Sequence, residues 1–262
     1  MSNLILEVKT IQVNAFKTLI ESLKEILADV NIEFNDEGMK IITMDSTQTI
    51  LVHLKLDAAN FEHYYCKNKI FIGVNMGNLF KIIKTLTLND TLTFFMEESD
   101  ENTLGISIVN GEKNRKSIIK FKLIDLDVVN YKAPATKFES ILTMPSDEFN
   151  KICRDMSSLQ TEVIEIKSVG NQLLVGGFGD FAEQEIVLGE NQNGLNFKLS
   201  GDNDKIIQGY YNLKHLQLFA KCTSLCLSIE LYMKNNYPLV IKFAVGSLGN
   251  LTLALAPKME IN

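Results

Sequence analysis

Apolar residues recur along this chain in two rhythms. Over residues 13–29, Phe16, Leu19, Ile20, Leu23, Ile26 and Leu27 fall three and four apart, the spacing of one helix face. The same spacing appears over 75–86 (Met76, Leu79, Phe80, Ile82, Ile83, Leu86) and over 146–159 (Phe149, Ile152, Cys153, Met156). It returns over 211–222 (Leu213, Leu216, Leu218, Phe219). Pro145 and Ser146 mark the start of the third helix, with Glu148 in its first turn. Elsewhere apolar and polar residues alternate, which predicts strands at 1–10, 32–34, 40–43, 49–56, 91–96, 105–109 and 116–123. The second half continues in the same way at 163–168, 172–175, 185–188, 225–232, 239–245 and 251–256. Turn residues separate them, among them Asn35-Asp36-Glu37-Gly38, Asn110-Gly111 and Gly201-Asp202-Asn203. The expected class is α+β.

The four helices fall at matching places in two halves. Phe16, Leu23 and Val30 reappear 133 residues later as Phe149, Met156 and Val163. Asn75, Met76, Leu79 and Lys84 reappear 137 residues later as Asn212, Leu213, Leu216 and Lys221. A repeat near half the chain length predicts two copies of one domain. Residues 124–138 hold neither rhythm and read as a linker, giving domains at 1–123 and 139–262.

Composition narrows the possibilities. With 262 residues, 46% of them hydrophobic, the chain can bury one large core or two medium ones. No apolar run is long enough for a membrane-spanning helix, so no membrane partner is expected. Residues 1–10 alternate and contain Glu7 and Lys9, which predicts a strand rather than a signal peptide and an intracellular location. Cys66, Cys153, Cys222 and Cys226 form no CxxC pair, and the histidines complete no zinc set. Buried thiols are expected, with no metal and no cofactor.

The net charge of −6 argues against nucleic acid, until the basic residues are located. Lys17 and Lys24 lie seven apart, Lys81 and Lys84 three apart, Lys151 and Arg154 three apart, Lys214 and Lys221 seven apart. Each pair shares one side of its helix, opposite the apolar stripe. Residues 75–86 and 211–222 contain no acid. Set those eight aside and the 26 basic residues fall to 18 against 32 acids, a balance of −14. Solvent-facing lysines are ordinary on one helix; on four, in so acidic a chain, they predict a face that attracts a polyanion. Such contacts reach phosphates and read no sequence. Binding would be weak and salt-sensitive, which suits motion along duplex DNA if closure around it prevents escape.

Several segments now resemble the sliding-clamp family of proliferating cell nuclear antigen (PCNA). They are Met44-Asp45-Ser46-Thr47, residues 61–66 followed by Gly73-Val74-Asn75, and Leu123-Ile124-Asp125-Leu126-Asp127-Val128. Met144-Pro145-Ser146-Asp147-Glu148-Phe149, continuing to Ile152-Cys153-Arg154-Asp155, and Leu255-Ala256-Pro257-Lys258 complete the set. The resemblance spans essentially the whole chain. It implies a homotrimeric ring with the helices lining the hole, and puts the eight basic residues against double-stranded DNA. Edge strands join the subunits, here 116–123 and 185–188, with Ile118, Lys120, Lys122, Glu185 and Val187 at the contact. It further implies a DNA polymerase processivity factor, served by a clamp loader and located in the nucleus or at a viral replication site.

Partners of that family insert a short apolar and aromatic peptide beside the linker. By the resemblance the pocket takes in Met44, Gln48, Leu51, Leu126, Asp127, Tyr131, Ala133, Pro134, Pro238, Ala254, Ala256 and Pro257. Met44, Leu51 and Pro238 read equally well as core residues. Gln48 stands where the family commonly has His, Tyr131 and Ala133 replace aliphatic residues, and Ala254 replaces an aromatic. An enzyme is the first rival reading, but Gly176-Gly177-Phe178-Gly179-Asp180 lacks the Lys and Ser/Thr of a phosphate loop. His53 alternates with apolar neighbours and reads as structural. A monomeric clamp-fold processivity factor, or a subunit of a heterotrimeric checkpoint clamp, are further rivals. The altered pocket predicts a shifted peptide preference. Calorimetry with a standard clamp-binding peptide is expected to give an affinity unlike that of an ordinary clamp, and equal affinity would count against the shift.

Overall fold

A computed structural model describes residues 3–129, 131, 136–199 and 205–258. In the first half the elements run β1 (Leu4–Thr10), α1 (Val13–Leu23), β2 (Asp29–Asn35), β3 (Gly38–Met44), β4 (Ile50–Asp57) and β5 (His63–Cys66). Then come β6 (Ile70–Asn75), α2 (Met76–Ile83), β7 (Asp90–Glu97), β8 (Asp100–Asn110) and β9 (Arg115–Lys122). In the second half they run β10 (Ser140–Pro145), α3 (Ser146–Ser158), β11 (Val163–Val169), β12 (Gln172–Phe178), β13 (Glu183–Gly189) and β14 (Asn196–Leu199). β15 (Ile207–Asn212), α4 (Leu213–Lys221), β16 (Ser228–Met233), β17 (Leu239–Val245) and β18 (Gly249–Leu255) follow. Short 3-10 turns apart, the two series match element for element. The duplication expected from the 133- and 137-residue spacings is therefore present in the fold.

By contacts the chain divides into two units, neither of them a simple half. One comprises residues 1–43, 53–131 and 244–251; the other comprises 44–52, 132–243 and 252–262. In the first unit a five-stranded antiparallel sheet runs β5-β1-β7-β8-β9, and β2 pairs with both β6 and β3. In the second unit a four-stranded sheet runs β13-β12-β11-β15, and β10 lies between β14 and β16.

Alternation builds the sheets because one face of each must be buried. β4 turns Ile50, Val52, Leu54 and Leu56 inward, all fully buried, and lets Lys55 face water. Each helix covers such a face with its apolar stripe. α1 buries Val13, Phe16, Leu19, Ile20 and Leu23 and sets the Phe16 ring 5.4 Å from that of Phe94 on β7. α3 buries Phe149, Ile152, Cys153 and Met156 in the same way.

Helix ends depart from the apolar spacing. α1 stops at Leu23 instead of continuing to 29: the N–H groups of Ile26 and Leu27 fold back to the Leu23 carbonyl at 3.0 and 2.8 Å. Beyond them, Asp29–Asn35 is drawn into pairing with β6. Tyr211 and Asn212, read as helical, belong to β15. Asn75 and Asn212, the repeated polar residues, are N-caps whose side chains accept from the N–H groups of Asn78 and Lys214, both at 2.9 Å. Cys153 and Cys222 are buried, but Cys66 and Cys226 are only half-buried. The turn read at Gly201-Asp202-Asn203 lies outside the described residues.

The Asn35–Gly38 turn illustrates a glycine that geometry requires. The Asn35 side-chain oxygen accepts from the N–H groups of Glu37 and Gly38, at 2.8 and 3.1 Å. Gly38 has φ +142, and a Cβ there would sit 2.0 Å from the Leu56 carbonyl oxygen. Gly38→Ala is therefore expected to cost about 2–4 kcal/mol in chemical denaturation, because backbone strain and a backbone clash act together.

Candidate nucleic-acid and partner interface

The helices present their basic residues on the side away from the sheet. Lys81, Lys84, Lys151, Arg154, Lys214 and Lys221 are exposed, whereas Lys17 and Lys24 are half-buried. Lys24 follows α1 as its C-cap, pairs with Glu25, and lies over the Phe80 ring of α2 at 4.9 Å from the centroid. Lys17 donates to the Leu86 carbonyl at 3.3 Å. Lys81 donates to Asn78 at 2.9 Å. Within the first unit α1 and α2 are neighbours, and within the second α3 and α4. The Gln217 side chain of α4 donates to the Ser157 hydroxyl of α3 at 2.9 Å.

Lys17 also lines a cleft of about 490 Å³ together with Val13, Leu88, Asn110, Glu112 and Lys113. Lys113 belongs to the turn between β8 and β9, so helical spacing gave no sign that it shares this cleft. Its N–H is fixed by the Asn110 side chain at 2.9 Å, and the Asn110 amide donates to Asp90 at 2.7 Å. An electrostatic reading confined to helices misses it.

The Met44-Asp45-Ser46-Thr47 segment is a turn organised by one carboxylate. Asp45 accepts from the N–H groups of Thr47, Thr49 and Ile50, at 3.2, 2.8 and 2.7 Å, and from the Thr47 hydroxyl. The turn carries Gln48 at φ 56, exposed, and leaves Met44 and Leu51 half-buried on either side. Pro238, Ala254 and Ala256 are also half-buried and Pro257 is exposed. Met44, Leu51 and Pro238 are thus accessible in part, which a purely core role does not require. In the same unit a cleft of about 700 Å³ is floored by Gln208, Gly209 and Tyr210 of β15 and walled by Tyr237 and Pro257. Lys258 donates its N–H to the Tyr210 carbonyl at 2.7 Å, which ties the C-terminal segment to this floor. Half-exposed Ile206, also in the lining, offered no signal beyond an apolar residue beside a strand.

In the first unit the start of the linker is tethered. Ile124 donates to the Gly73 carbonyl at 2.9 Å, and the Asn31 amide donates to the Leu126 and Asp127 carbonyls at 3.2 and 3.1 Å. Leu126 and Tyr131 are half-buried and Asp127 exposed. Ala133 and Pro134 lie outside the described residues. At the sheet margins, Ile118, Lys120 and Lys122 of β9 and Glu185 and Val187 of β13 are all exposed on outermost strands.

Family models for the N-terminal and C-terminal domains of proliferating cell nuclear antigen match residues 5–131 and 132–258. The chain belongs to the PCNA family. A curated relative, "Probable DNA polymerase sliding clamp 1" of Paramecium bursaria Chlorella virus 1, is 34% identical over 97% of both chains. "Proliferating cell nuclear antigen" of Chaetomium thermophilum is 27% identical over 97% of this chain and 98% of its own. The crystal structure of the antigen from Entamoeba histolytica superposes with a TM-score of 0.89 at 25% identity, covering 99% of this chain and all of that one. The α+β clamp fold with two repeated domains is thereby established for this chain.

Other chemistry is sparse. Gly176 to Phe178 lie within β12, and the turn after it leads into another strand, not a helix. Among the described residues no group of three His, Cys, Asp or Glu could hold a metal ion, and no helix is long and apolar enough to cross a membrane.

The Asp45 turn gives this PCNA-family chain a defined acid response. Burial raises the Asp45 pKa, but the hydrogen bonds from Thr47, Ile50 and Thr49 outweigh it and hold the carboxyl below the usual 3.8. Folded-state depression stabilises the protein above the unfolded value, and that contribution fades as pH falls through the folded one. Asp45→Ala is expected to lower stability by about 1–3 kcal/mol at neutral pH, because three N–H groups lose their acceptor. It should also flatten the fall in stability below about pH 4, read as melting temperature against pH.

Proposed function

We infer that this protein is the processivity factor of a DNA polymerase: a sliding clamp that encircles duplex DNA without reading its sequence. The observation that carries this reading is the segregation of charge. Six exposed basic side chains stand on the outward sides of the helices in a chain whose net charge is −6. On α2 and α4, which hold no acid, such faces attract phosphates while the acidic remainder of the chain repels them. Each contact is separately weak, so the duplex slides, and topology rather than affinity retains it.

Three copies would close head to tail through the free edges of β9 and β13, bringing the helices of every subunit to the inside. Polymerase and other partners would dock a short apolar peptide over Met44, Leu51, Pro238 and Ala256. A loader would open the ring, in the nucleus or at a viral replication site. The role is mechanical, with no bond made or broken by the clamp.

Lys81→Glu with Lys84→Glu tests the hole lining. Both residues are exposed on or just after α2, so the mass in solution should stay that of the closed assembly. Processive primer extension should fall, and the salt dependence of DNA binding should weaken by about one log-log slope unit for each phosphate no longer neutralised. Unchanged processivity would show that these side chains do not face the duplex.

A further inference from the structure

Among the described residues β9 pairs only with β8, and β13 only with β12, so each presents a row of backbone N–H and C=O groups without a strand partner there. Their side chains are sorted by charge. β9 carries Arg115, Lys116, Lys120 and Lys122 and no acid; β13 carries Glu183 and Glu185 and no base. Alternation places Lys116, Ile118, Lys120 and Lys122 on one face of β9, all exposed, with Ser117, Ile119 and Phe121 half-buried on the other. On β13 the exposed face holds Glu183, Glu185 and Val187, and the half-buried one Gln184, Ile186 and Leu188. None of the ion pairs among the described residues uses Lys120, Lys122, Glu183 or Glu185.

These patterns discriminate between ways of joining two copies. With like faces together, a two-fold β9–β9 contact sets Lys116 against Lys122 and Ile118 against Lys120, and a two-fold contact over all of β13 sets Glu183 against Gly189 and Glu185 against Val187, so neither edge gains an opposite-charge pair from a copy of itself. A parallel β9–β13 contact using all of β13 with like faces together sets Ile118 against Glu185 and Lys120 against Val187. The antiparallel contact of the same length sets Lys122 against Glu183, Lys120 against Glu185 and Ile118 against Val187. On the other face Ile119 then meets Ile186. A slip of two residues toward the start of β9 still brings Lys120 to Glu183.

We propose that Lys120 and Lys122 of one subunit and Glu183 and Glu185 of the next form a charge ladder that selects head-to-tail closure of this chain on itself. The ladder rests on the ring proposed above and adds what chooses its partner edge. It lies at the outer face of the sheet, where salt screens it. Raising ionic strength should therefore shift the concentration at which the assembly half-dissociates upward, by about tenfold between 0.05 and 0.5 M salt.

The experiment is the molar mass of the full chain by sedimentation, at a concentration where the unaltered protein is closed. Lys120→Glu with Lys122→Glu should lose the closed assembly, as should Glu183→Lys with Glu185→Lys. The four-fold exchange in one chain should recover it. Mixing the two double variants should restore association without any chain carrying all four changes. Thermal unfolding of each variant separates failure to assemble from failure to fold. The ladder is overturned if the folded double variants stay closed, if neither the exchange nor the mixture recovers association, or if assembly ignores salt. Failure of the unaltered chain to close at any concentration would instead overturn the ring itself.

Discussion

A helix that is apolar along one side has to lay that side on something, and in this protein it lies on sheets built from alternating strands. Phe16 resting against Phe94 is one instance, and the buried stripe of α3 is its counterpart in the second unit. That contact decides what remains for water. Once the stripe is committed to the sheet, the opposite side of each helix is free to carry charge at little cost to folding: α2 and α4 carry lysines and no acid there, while α1 and α3 mix lysine and arginine with Glu21 and Asp147. The same division leaves the outermost strands with a row of backbone groups open to water, which another strand can pair.

The charge distribution follows a consistent logic. A protein that must travel along a polyanion gains from many weak, uniform contacts and loses from any strong, specific one. Lysines on helix faces supply the former, because flexible stems and single cationic heads impose little geometry. The acidic remainder keeps the duplex from settling elsewhere. At β9 and β13 the same electrostatics operate between protein surfaces, where alternating side chains convert a generic backbone edge into one with a preferred partner.

Much of this was legible in the amino-acid order because the relevant signals are local. Four helical stripes, the alternation in β4, β7 and β9, and the repeated Asn75 and Asn212 all act over a few residues. The strands β5, β6, β10, β14 and β15 gave no such signal. His63–Cys66 has no apolar alternation, and the half-hidden β15 mixes Gln208, Gly209 and two tyrosines. The true end of α1 depended on β6 capturing Asp29–Asn35, a pairing across some forty residues that no short window contains. The site shows the same divide. Helical lysines announced themselves by spacing. Lys113 came to Lys17, and Tyr210 to Pro257, only through the fold.

The two asparagine caps carry a consequence of their own. An aspartate would satisfy the free N–H groups of a helix start equally well and would gain from the dipole. It would also plant a negative charge at the rim of the cationic surface. Asn75 and Asn212 anchor α2 and α4 with a neutral amide, and neither helix has an acid in its first turn. At α4 the fractional positive charge of the aligned peptide dipoles adds to the lysines, whereas at α2 the Asn75 amide donates to Asp29 at 2.7 Å, which sets a carboxylate beside that helix start. Here the choice of amide over acid trades a little helix stability for a smoother electrostatic track.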